Sequence, residues 1–281
     1  MTVLGAIALP QLPPERLRGL VEDADAAGLE ELWLWEDCFL TGGVSAMAAA
    51  LAWSRRLRVG VGLLPVPLRN VAATAMEVAT LHRLFPGRAI IGVGHGVQDW
   101  MGQIGARVPS PMTLLREHVT ALRALLGGER VTVAGRYVHL DGVALDRPPV
   151  GHAPILVGAS GPKTLRLAGE VGDGTILTAG TTPDQVRTAR AATGDGTLVV
   201  YLHTATGPDA AERIEAERVR WGYPSAADRA AVGDAAAVAA QVRRWADAGA
   251  DTVVLQPTPD DPDPEGFVRF VAREVRPLIQ L

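Results

Sequence analysis

Hydrophobic residues along the 281-residue chain fall into short runs that alternate with longer amphipathic stretches. Apolar runs rich in β-branched residues and bounded by Gly or Pro indicate buried strands. The pattern predicts eight such strands, at residues 3–9, 31–36, 57–64, 88–93, 153–158, 174–178, 197–202 and 251–256. Between them, apolar positions spaced i, i+3/i+4, i+7 predict helices that place one face against a sheet.

The connections differ at the two ends of the predicted strands. Helix-to-strand connections are short, and each contains a glycine suited to end a helix, namely Gly28, Gly172 and Gly249. Strand-to-helix connections are longer and rich in Pro, Gly, Thr and His. This asymmetry is typical of parallel strands whose C-terminal ends carry the variable loops. Eight units predict an α/β fold, a closed (β/α)8 TIM barrel, as a single domain over residues 1–281.

Two segments depart from the strand–helix repeat. Residues 129–140 contain two short alternating stretches around Ala134 and Gly135, which predict a β-hairpin inserted before the fifth barrel strand. Residues 205–232 contain the charged helical sequence DAAERIEAERVRW and a link with Pro and Ser. We therefore expect a helical insertion near the seventh strand.

Composition narrows the classes of partner. The net charge is −4, and no run of like charges forms a basic surface that would bind nucleic acid or an anionic membrane. Small molecules are therefore the favoured binding partners. No apolar segment approaches the ~20 residues that span a bilayer, and no secretory signal is recognisable, so we expect a cytoplasmic protein. The single cysteine, Cys38, excludes an internal disulfide and a multi-thiolate metal site, and no two histidines have ligand spacing. We expect no metal.

The fourth predicted strand ends in glycines, with Gly92, Gly94 and Gly96 around His95. Glycine costs backbone entropy in a strand, so something must approach the main chain closely there. A tight turn out of the barrel is one explanation, and a cofactor edge or phosphate against bare backbone is the other. A dinucleotide fingerprint fits poorly, because it would have to end the first strand and be followed at once by a helix.

The stretch GASGPKT follows the fifth predicted strand. Only Ala159 and Ser160 separate Gly158 from Gly161, which is too few residues for a P-loop. The backbone N–H groups and the dipole of the helix that starts here would still seat one phosphate. An ordinary helix start is the alternative. Lys163, the only lysine, either adds positive charge or points to solvent.

The stretch LWLWEDCF ends the second predicted strand. Glu36 and Asp37 arrive where a barrel strand meets its C-terminal loop, a position at which carboxylates usually take part in function. The alternative is that Asp37 caps a turn. Trp33 and Trp35 alternate with leucines, and we expect both in the core.

Four blocks, LWLWEDCF, GLLPVPLRN, LHRLFPGRAIIGVGHG and PILVGASGPKTLRLAGEVGDGTI, together resemble the bacterial luciferase-like superfamily. The chain is most similar to the branch that uses the deazaflavin coenzyme F420, which includes methylenetetrahydromethanopterin reductase and F420-dependent sugar-phosphate and alcohol dehydrogenases. The branch of FMN-using monooxygenases shares the barrel and many motifs. The resemblance implies F420, or alternatively FMN, as cofactor and a homodimer as the assembly.

The resemblance also implies roles for individual residues. Gly60 and Gly62 interrupt the third strand and predict a bulge, which in the deazaflavin branch carries a cis peptide bond behind the ring, here between Gly62 and Leu63. Asp37 would lie beside the ring edge. Several relatives have a histidine at the next position, where this chain has Cys38.

The GVGHG loop would pass the ring and ribityl chain, and GASGP would hold the cofactor phosphate with main-chain donors. Some dehydrogenases place a catalytic glutamate where this chain has Val97. The predicted function is hydride transfer between F420 and a small organic substrate, with His95 and Asp37 as catalytic candidates. The predicted cofactor-binding residues are Asp37, Cys38, Gly62, Leu63, Gly94, His95, Gly96, Val97, Gly158, Ala159, Ser160, Gly161 and Lys163.

Two alternative functions stay open at this point. One is an FMN-dependent luciferase-like monooxygenase. The other is a barrel that binds flavin without turning it over, which the replacement of expected polar residues by Cys38 and Val97 would favour.

Overall fold

The structure, a computed structural model, describes residues 2–279 as a parallel barrel surrounded by helices. Eight strands pair in parallel in the order β1, β2, β3, β4, β7, β8, β9 and β11, and β11 pairs with β1 to close the ring. The predicted TIM barrel is confirmed. The strands are β1 (Val3–Ile7), β2 (Glu31–Leu34), β3 (Arg58–Pro65), β4 (Ala89–Gly94), β5 (Val131–Ala134), β6 (His139–Val143), β7 (Ile155–Gly158), β8 (Gly174–Leu177), β9 (Thr197–Ala205), β10 (Ala230–Val232) and β11 (Thr252–Gln256).

Helices connect the barrel strands and pack outside them. The helices are α1 (Pro14–Ala27), α2 (Gly43–Trp53), α3 (Val71–Leu84), α4 (Gln98–Gln103), α5 (Pro111–Leu126), α6 (Pro162–Val171), α7 (Pro183–Thr193), α8 (Ala210–Trp221), α9 (Ala235–Asp247), α10 (Pro264–Phe270) and α11 (Arg276–Ile279). Gly28 ends α1 with the expected left-handed φ of 81°. Gly172 after α6 is extended instead, with φ −93°, so that expectation was wrong.

Both predicted insertions are present. Strands β5 and β6 form an antiparallel hairpin, which continues three residues beyond the predicted end to Val143. The charged helix is α8. The second insertion also contains β10, a three-residue strand beside β9 that the sequence pattern did not predict, because so short a run has no measurable period.

Aromatic side chains from β2 and β9 fill the lumen and pack against the bare backbone of two glycines in β3. A Cβ at Gly60 would lie 2.5 Å from the Trp33 ring, and a Cβ at Gly62 would overlap the Tyr201 hydroxyl. That hydroxyl donates to the Gly62 carbonyl at 2.9 Å, so Tyr201 spans the lumen from β9 to β3. The buried lumen cluster consists of Ile7, Trp33, Leu156, Ile176, Val199, Tyr201 and Val254.

Gly92 of β4 also faces this cluster. A Cβ there would overlap Ile176 and lie 2.8 Å from the Val61 carbonyl oxygen. We expect Gly92→Ala to lower the free energy of unfolding by ~1–3 kcal/mol, because backbone cannot move aside as a side chain can. Gly19→Ala is the matched control, since open space surrounds Gly19 in α1, and it should stabilise by ~0.5–1 kcal/mol. Urea unfolding measures both, and an unchanged Gly92→Ala midpoint would contradict the packing.

Asp173 joins three elements at the N-terminal end of the barrel. Its carboxylate accepts two hydrogen bonds from Arg123 of α5, both at 2.9 Å, and one from the Ile155 N–H at 2.8 Å. Burial raises the pKa of Asp173, but the hydrogen bonds and charges of Arg123, the Ile155 N–H and His152 together lower it below its ordinary 3.8. The carboxylate therefore stabilises the fold above that pH, and this contribution is lost as the pH falls through the lowered pKa.

Asp173→Asn should lower the free energy of unfolding by ~1–3 kcal/mol at neutral pH, because the charge-assisted bonds are lost. The difference from wild type should shrink as the pH falls below about 4, where the wild-type carboxyl also takes up its proton. Urea unfolding across pH measures this. Asp141→Asn, at an exposed position of β6, should stay within ~0.5 kcal/mol. A pH-independent difference for Asp173→Asn would contradict the ionic explanation.

Candidate active site

The C-terminal ends of the barrel strands form the mouth where the predicted site residues meet. Asp37 follows β2, Leu63 lies in β3, Gly94 ends β4 and Gly158 ends β7. Parallel strands of a closed barrel end at the same rim, so the structure brings these four positions together. A short link joins Gly158 to α6, whose N-cap residue Gly161 and first-turn residue Lys163 lie at the same rim.

Leu63 forms an apolar floor at the mouth. The register of β3 against β4 shifts between Val61 and Leu64, which is the predicted bulge, and the Gly62–Leu63 peptide bond is cis, as the resemblance implied. The Leu63 side chain then crosses the neighbouring strands. A Cβ at Gly94 would lie 2.5 Å from its Cδ2, and a Cβ at Gly158 would overlap it. Leu63 stays half-buried, so part of it faces the mouth.

These contacts change the explanation for the glycines of β4. The sequence favoured bare backbone directly beneath a cofactor. In the structure, the space beside Gly92 holds Ile176 and the space beside Gly94 holds Leu63. The glycines admit side chains of neighbouring strands, and a flat ligand at the mouth would lie on Leu63 instead of on the main chain of β4.

The Asp37 carboxylate is hydrogen-bonded to Trp35, one of two stacked aromatic side chains at the top of the lumen. The Trp35 indole N–H donates to Asp37 Oδ2 at 2.9 Å, and the Trp35 ring stacks on Tyr201 with centroids 6.0 Å apart. Burial raises the pKa of Asp37, while the Trp35 hydrogen bond and the positive charge of Arg220 act in the opposite direction. The turn after β2 is closed by the Asp37 backbone carbonyl, which accepts from the Leu40 N–H. The alternative that the Asp37 side chain caps this turn is therefore not realised, because its carboxylate accepts from Trp35 instead.

Glu36 and Cys38 flank Asp37 but have different surroundings. Glu36 accepts two hydrogen bonds from Arg69, at 2.6 and 3.1 Å, and one from the Gly43 N–H at 2.7 Å, so it joins β2 to the start of α2. Burial, with the charges of Glu36 and Asp37, raises the pKa of the half-buried Cys38 thiol. Cys38 therefore presents a protonated thiol at neutral pH.

His95 is placed towards the helix layer. Burial lowers its pKa, and a backbone hydrogen bond with Pro111, the first residue of α5, partly offsets this. Its Nδ1 is buried without a partner among residues 2–279. Gly96 is half-buried with φ 68°, and Val97 is 46% exposed at the start of α4. The structure thus brings the GVGHG loop to the rim, but the His95 ring is directed towards the start of α5 and away from the centre of the mouth.

The start of α6 retains its unpaired backbone donors. Gly161 is the N-cap residue, and no side chain accepts from the first turn. Ala159 is buried, whereas Ser160 and Lys163 are exposed. A helix start without a capping side chain leaves N–H groups and a positive dipole for an anion, which is the geometry expected for a phosphate.

Sequence reasoning did not select His203 as a site residue, because the seventh strand was expected to end at Leu202. In the structure β9 continues to Ala205, and His203 lies within it. Two-residue alternation from Tyr201, which faces the lumen, places His203 on the same face one layer nearer the mouth. The two-residue alternation, continued past Leu202, is the sequence pattern that would have identified His203 as a lumen-facing residue.

Two structural features are absent from the described part of the chain. Across residues 2–279, no three His, Cys, Asp or Glu side chains come close enough together to hold a metal ion. Within the same range, no helix combines the length and apolarity needed to cross a membrane.

Comparison with known proteins decides the family. The family model described as luciferase-like monooxygenase matches residues 2–223. The chain belongs to this family. The 5,10-methylenetetrahydromethanopterin reductase of Methanolobus tindarius is 30% identical over 171 residues, which cover 61% of this chain and 52% of the relative. The F420-dependent glucose-6-phosphate dehydrogenase of Beutenbergia cavernae is 33% identical over 242 residues, covering 75% of this chain and 70% of the relative.

This member of the luciferase-like monooxygenase family spans about half the length of the methylenetetrahydromethanopterin reductases it matches. Its fold is shared with a solved F420-dependent secondary alcohol dehydrogenase in complex with an F420-acetone adduct. The two structures superpose with a TM-score of 0.87 at 22% identity and cover 99% of each other. The resemblance drawn from the sequence motifs is confirmed.

Removing the indole donor should change the titration of Asp37. We expect Trp35→Phe to raise the pKa of Asp37 above its wild-type value, because the Trp35 N–H stabilises the charged carboxylate. Carboxyl-carbon NMR of Asp37 across pH measures the shift. Trp53→Phe, at the end of α2, is the control and should leave this titration unchanged. A lower or equal pKa in Trp35→Phe would show that the hydrogen bond does not govern Asp37.

Proposed function

We propose that this chain is an F420-dependent oxidoreductase that exchanges a hydride between the deazaflavin and a small organic substrate at the barrel mouth. The observation that carries the proposal is the floor formed by Leu63, which crosses Gly94 and Gly158 and offers an apolar surface at the rim. The relative named as an F420-dependent dehydrogenase, matched over 75% of this chain, supports the choice of cofactor.

The residues at the mouth fit such a cofactor in two places. Leu63 would lie under the ring, with the carboxylate of Asp37 at its edge. The uncapped start of α6, from Ser160 to Lys163, would hold the phosphate through backbone N–H groups, and Lys163 would add positive charge. Bound F420 supplies the redox chemistry, since the deazaflavin accepts or donates the hydride. The protein positions the two reactants and excludes water.

The other predicted site residues would line the cofactor site or take part in proton exchange. Cys38, Gly96 and Val97 would line the rim around the cofactor. Asp37 would hold a proton-exchanging carboxyl at the ring edge. His95, neutral because burial lowers its pKa, would act from the side of α5 as a hydrogen-bond partner at the rim. We further propose that residues 1–281 act as one domain and that the protein is a cytoplasmic homodimer with a small-molecule substrate.

A second candidate function is an FMN-dependent monooxygenase. The family description favours it, because the model that matches residues 2–223 is that of luciferase-like monooxygenases. An apolar floor and a phosphate site would serve FMN as well as F420. The two candidates therefore differ first in which cofactor binds.

Spectral titration with F420 and with FMN separates the candidates. We expect wild-type protein to bind F420 at micromolar concentrations and FMN more weakly. Leu63→Ala should weaken F420 binding by about 10-fold, because much of the apolar contact with the ring is lost. Leu84→Ala, at a position 65% exposed in α3, is the matched control and should bind like wild type.

Lys163→Ala should weaken F420 binding by several-fold at low salt and should have little effect at high salt, because an exposed charge is screened. Tight binding of FMN without binding of F420 would move the protein to the monooxygenase function. Binding of F420 without its oxidation or reduction by any substrate would favour a binding protein instead.

A further inference from the structure

His203 faces the site from the side opposite the Leu63 floor. β3 is the third and β9 the seventh of eight strands in the ring, so the two lie across the barrel from each other. Tyr201 bridges them below the mouth through its hydrogen bond to the Gly62 carbonyl. His203 lies two residues nearer the mouth on the same face of β9. A ring lying on Leu63 would present its open face towards His203.

The His203 imidazole is buried without hydrogen-bond partners. It is 4% exposed, and neither Nδ1 nor Nε2 has a partner within the described residues. The Tyr223 ring covers it, with centroids 6.2 Å apart. Native proteins rarely leave two buried polar atoms unsatisfied, so a ligand atom or a bound water is expected at this ring.

The protonation state of His203 limits which ligand it can bind. Burial lowers the pKa of His203 to about 4, with the charge of Glu217 raising it and that of Arg220 lowering it. The ring is therefore neutral at pH 7 and offers one N–H donor and one acceptor nitrogen. Those two groups suit a hydroxyl or carbonyl oxygen, and they provide no charge for an anion.

The residues around His203 also disfavour an anion. Arg220, whose charge acts on His203, lies 3.4 Å from the buried Glu217 and also acts on Asp37, so one positive charge faces two carboxylates. Arg229, stacked on the Tyr223 ring, donates a hydrogen bond to the Gly180 carbonyl. An open groove of about 660 Å³ runs between the start of α8 and α10, and is lined by the loops that follow β9 and β11. Among its described lining residues the one cation is Arg213, which pairs with Asp261 at 3.0 Å. The acidic residues of the groove are Asp209, Glu212, Asp260, Asp261 and Asp263.

We propose that His203 binds the oxygen of an uncharged alcohol or ketone substrate beneath the end of α8, and that the acidic residues of the groove disfavour phosphorylated substrates. This inference rests on the proposed function. Oxidation of the alcohol breaks its carbinol C–H bond, and the hydride with both electrons goes to the oxidised deazaflavin. The hydroxyl proton passes to the proton-exchanging carboxylate of Asp37, and the ketone forms. Reduction of the ketone is the reverse.

Direct binding is tested by histidine NMR on cofactor-loaded protein. We expect cyclohexanone to shift the imidazole nitrogen signals of His203 and to leave those of His139, exposed on β6, unchanged. Glucose 6-phosphate at the same concentration should shift His203 less. If F420 does not bind, the same titration is run on FMN-loaded protein, so a His203 shift would support this inference even though the proposed function had failed.

Variants of His203 separate hydrogen bonding from packing. With cyclohexanol as substrate and F420 reduction as readout, His203→Leu should raise KM by about 10- to 100-fold, because a buried hydrogen bond is lost. kcat should change less, and F420 affinity should stay within about twofold. His203→Gln retains a donor and an acceptor and should recover most of the loss. His139→Leu is the control and should match wild type.

The role of the acidic residues of the groove is tested with the double variant Glu212→Gln and Asp260→Asn, at two exposed positions. This double variant should improve kcat/KM for glucose 6-phosphate relative to cyclohexanol by roughly 3- to 10-fold at low salt, and the gain should shrink at high salt. Asp141→Asn with Asp146→Asn, in the hairpin region, controls for the change in net charge and should leave the ratio unchanged.

Three outcomes would overturn the inference. One is that cyclohexanone and cyclohexanol leave the His203 signals unchanged in cofactor-loaded protein, which would mean that His203 binds only a water molecule. Another is that His203→Leu and His203→Gln have equal KM values, which would indicate a packing role. The third is that wild-type protein turns over glucose 6-phosphate more efficiently than cyclohexanol.

Discussion

The mouth of this barrel depends on space left by missing Cβ atoms. Tyr201 reaches across the lumen only because Gly62 has no side chain, and its hydroxyl then holds the Gly62 carbonyl at 2.9 Å. The bulge that follows places Leu63 over Gly94 and Gly158, neither of which has room for a Cβ. Close packing of this kind leaves few alternatives, because the interior has the density of an organic crystal.

This constraint divides the mouth into regions of different chemistry. The side formed by β3, β4 and β7 is apolar because Leu63 covers the backbone of Gly94 and Gly158. The start of α6 adds unpaired N–H donors at one edge. The opposite side, formed by β9 and the end of α8, is polar, with His203 buried under Tyr223 and Glu217 accepting from the Trp221 indole at 2.9 Å. A ligand between these sides would meet dispersion contacts on one face and hydrogen bonds on the other.

Most of the barrel was predictable from sequence, because eight apolar runs and the helices between them have clear periods. The site was predictable in outline, since the bulge at Gly62 and the helix start at Gly161 have local signatures. The reason for the glycines of β4 was not, because Ile176 and Leu63 reach them from other strands. Strand β10 was also missed, since three residues carry no period.

The two histidines nearest the mouth show why side-chain direction was the hardest property to predict. His95 follows Gly94, which faces the lumen, so alternation turns the histidine outwards to α5. His203 is two residues from Tyr201, so the same rule turns it inwards. Strands of a parallel barrel are buried on both faces and read as continuous apolar runs, so the sequence carries no mark of which alternate set faces the lumen. That choice is made by the packing of Tyr201 against Gly62, a contact between residues 139 positions apart.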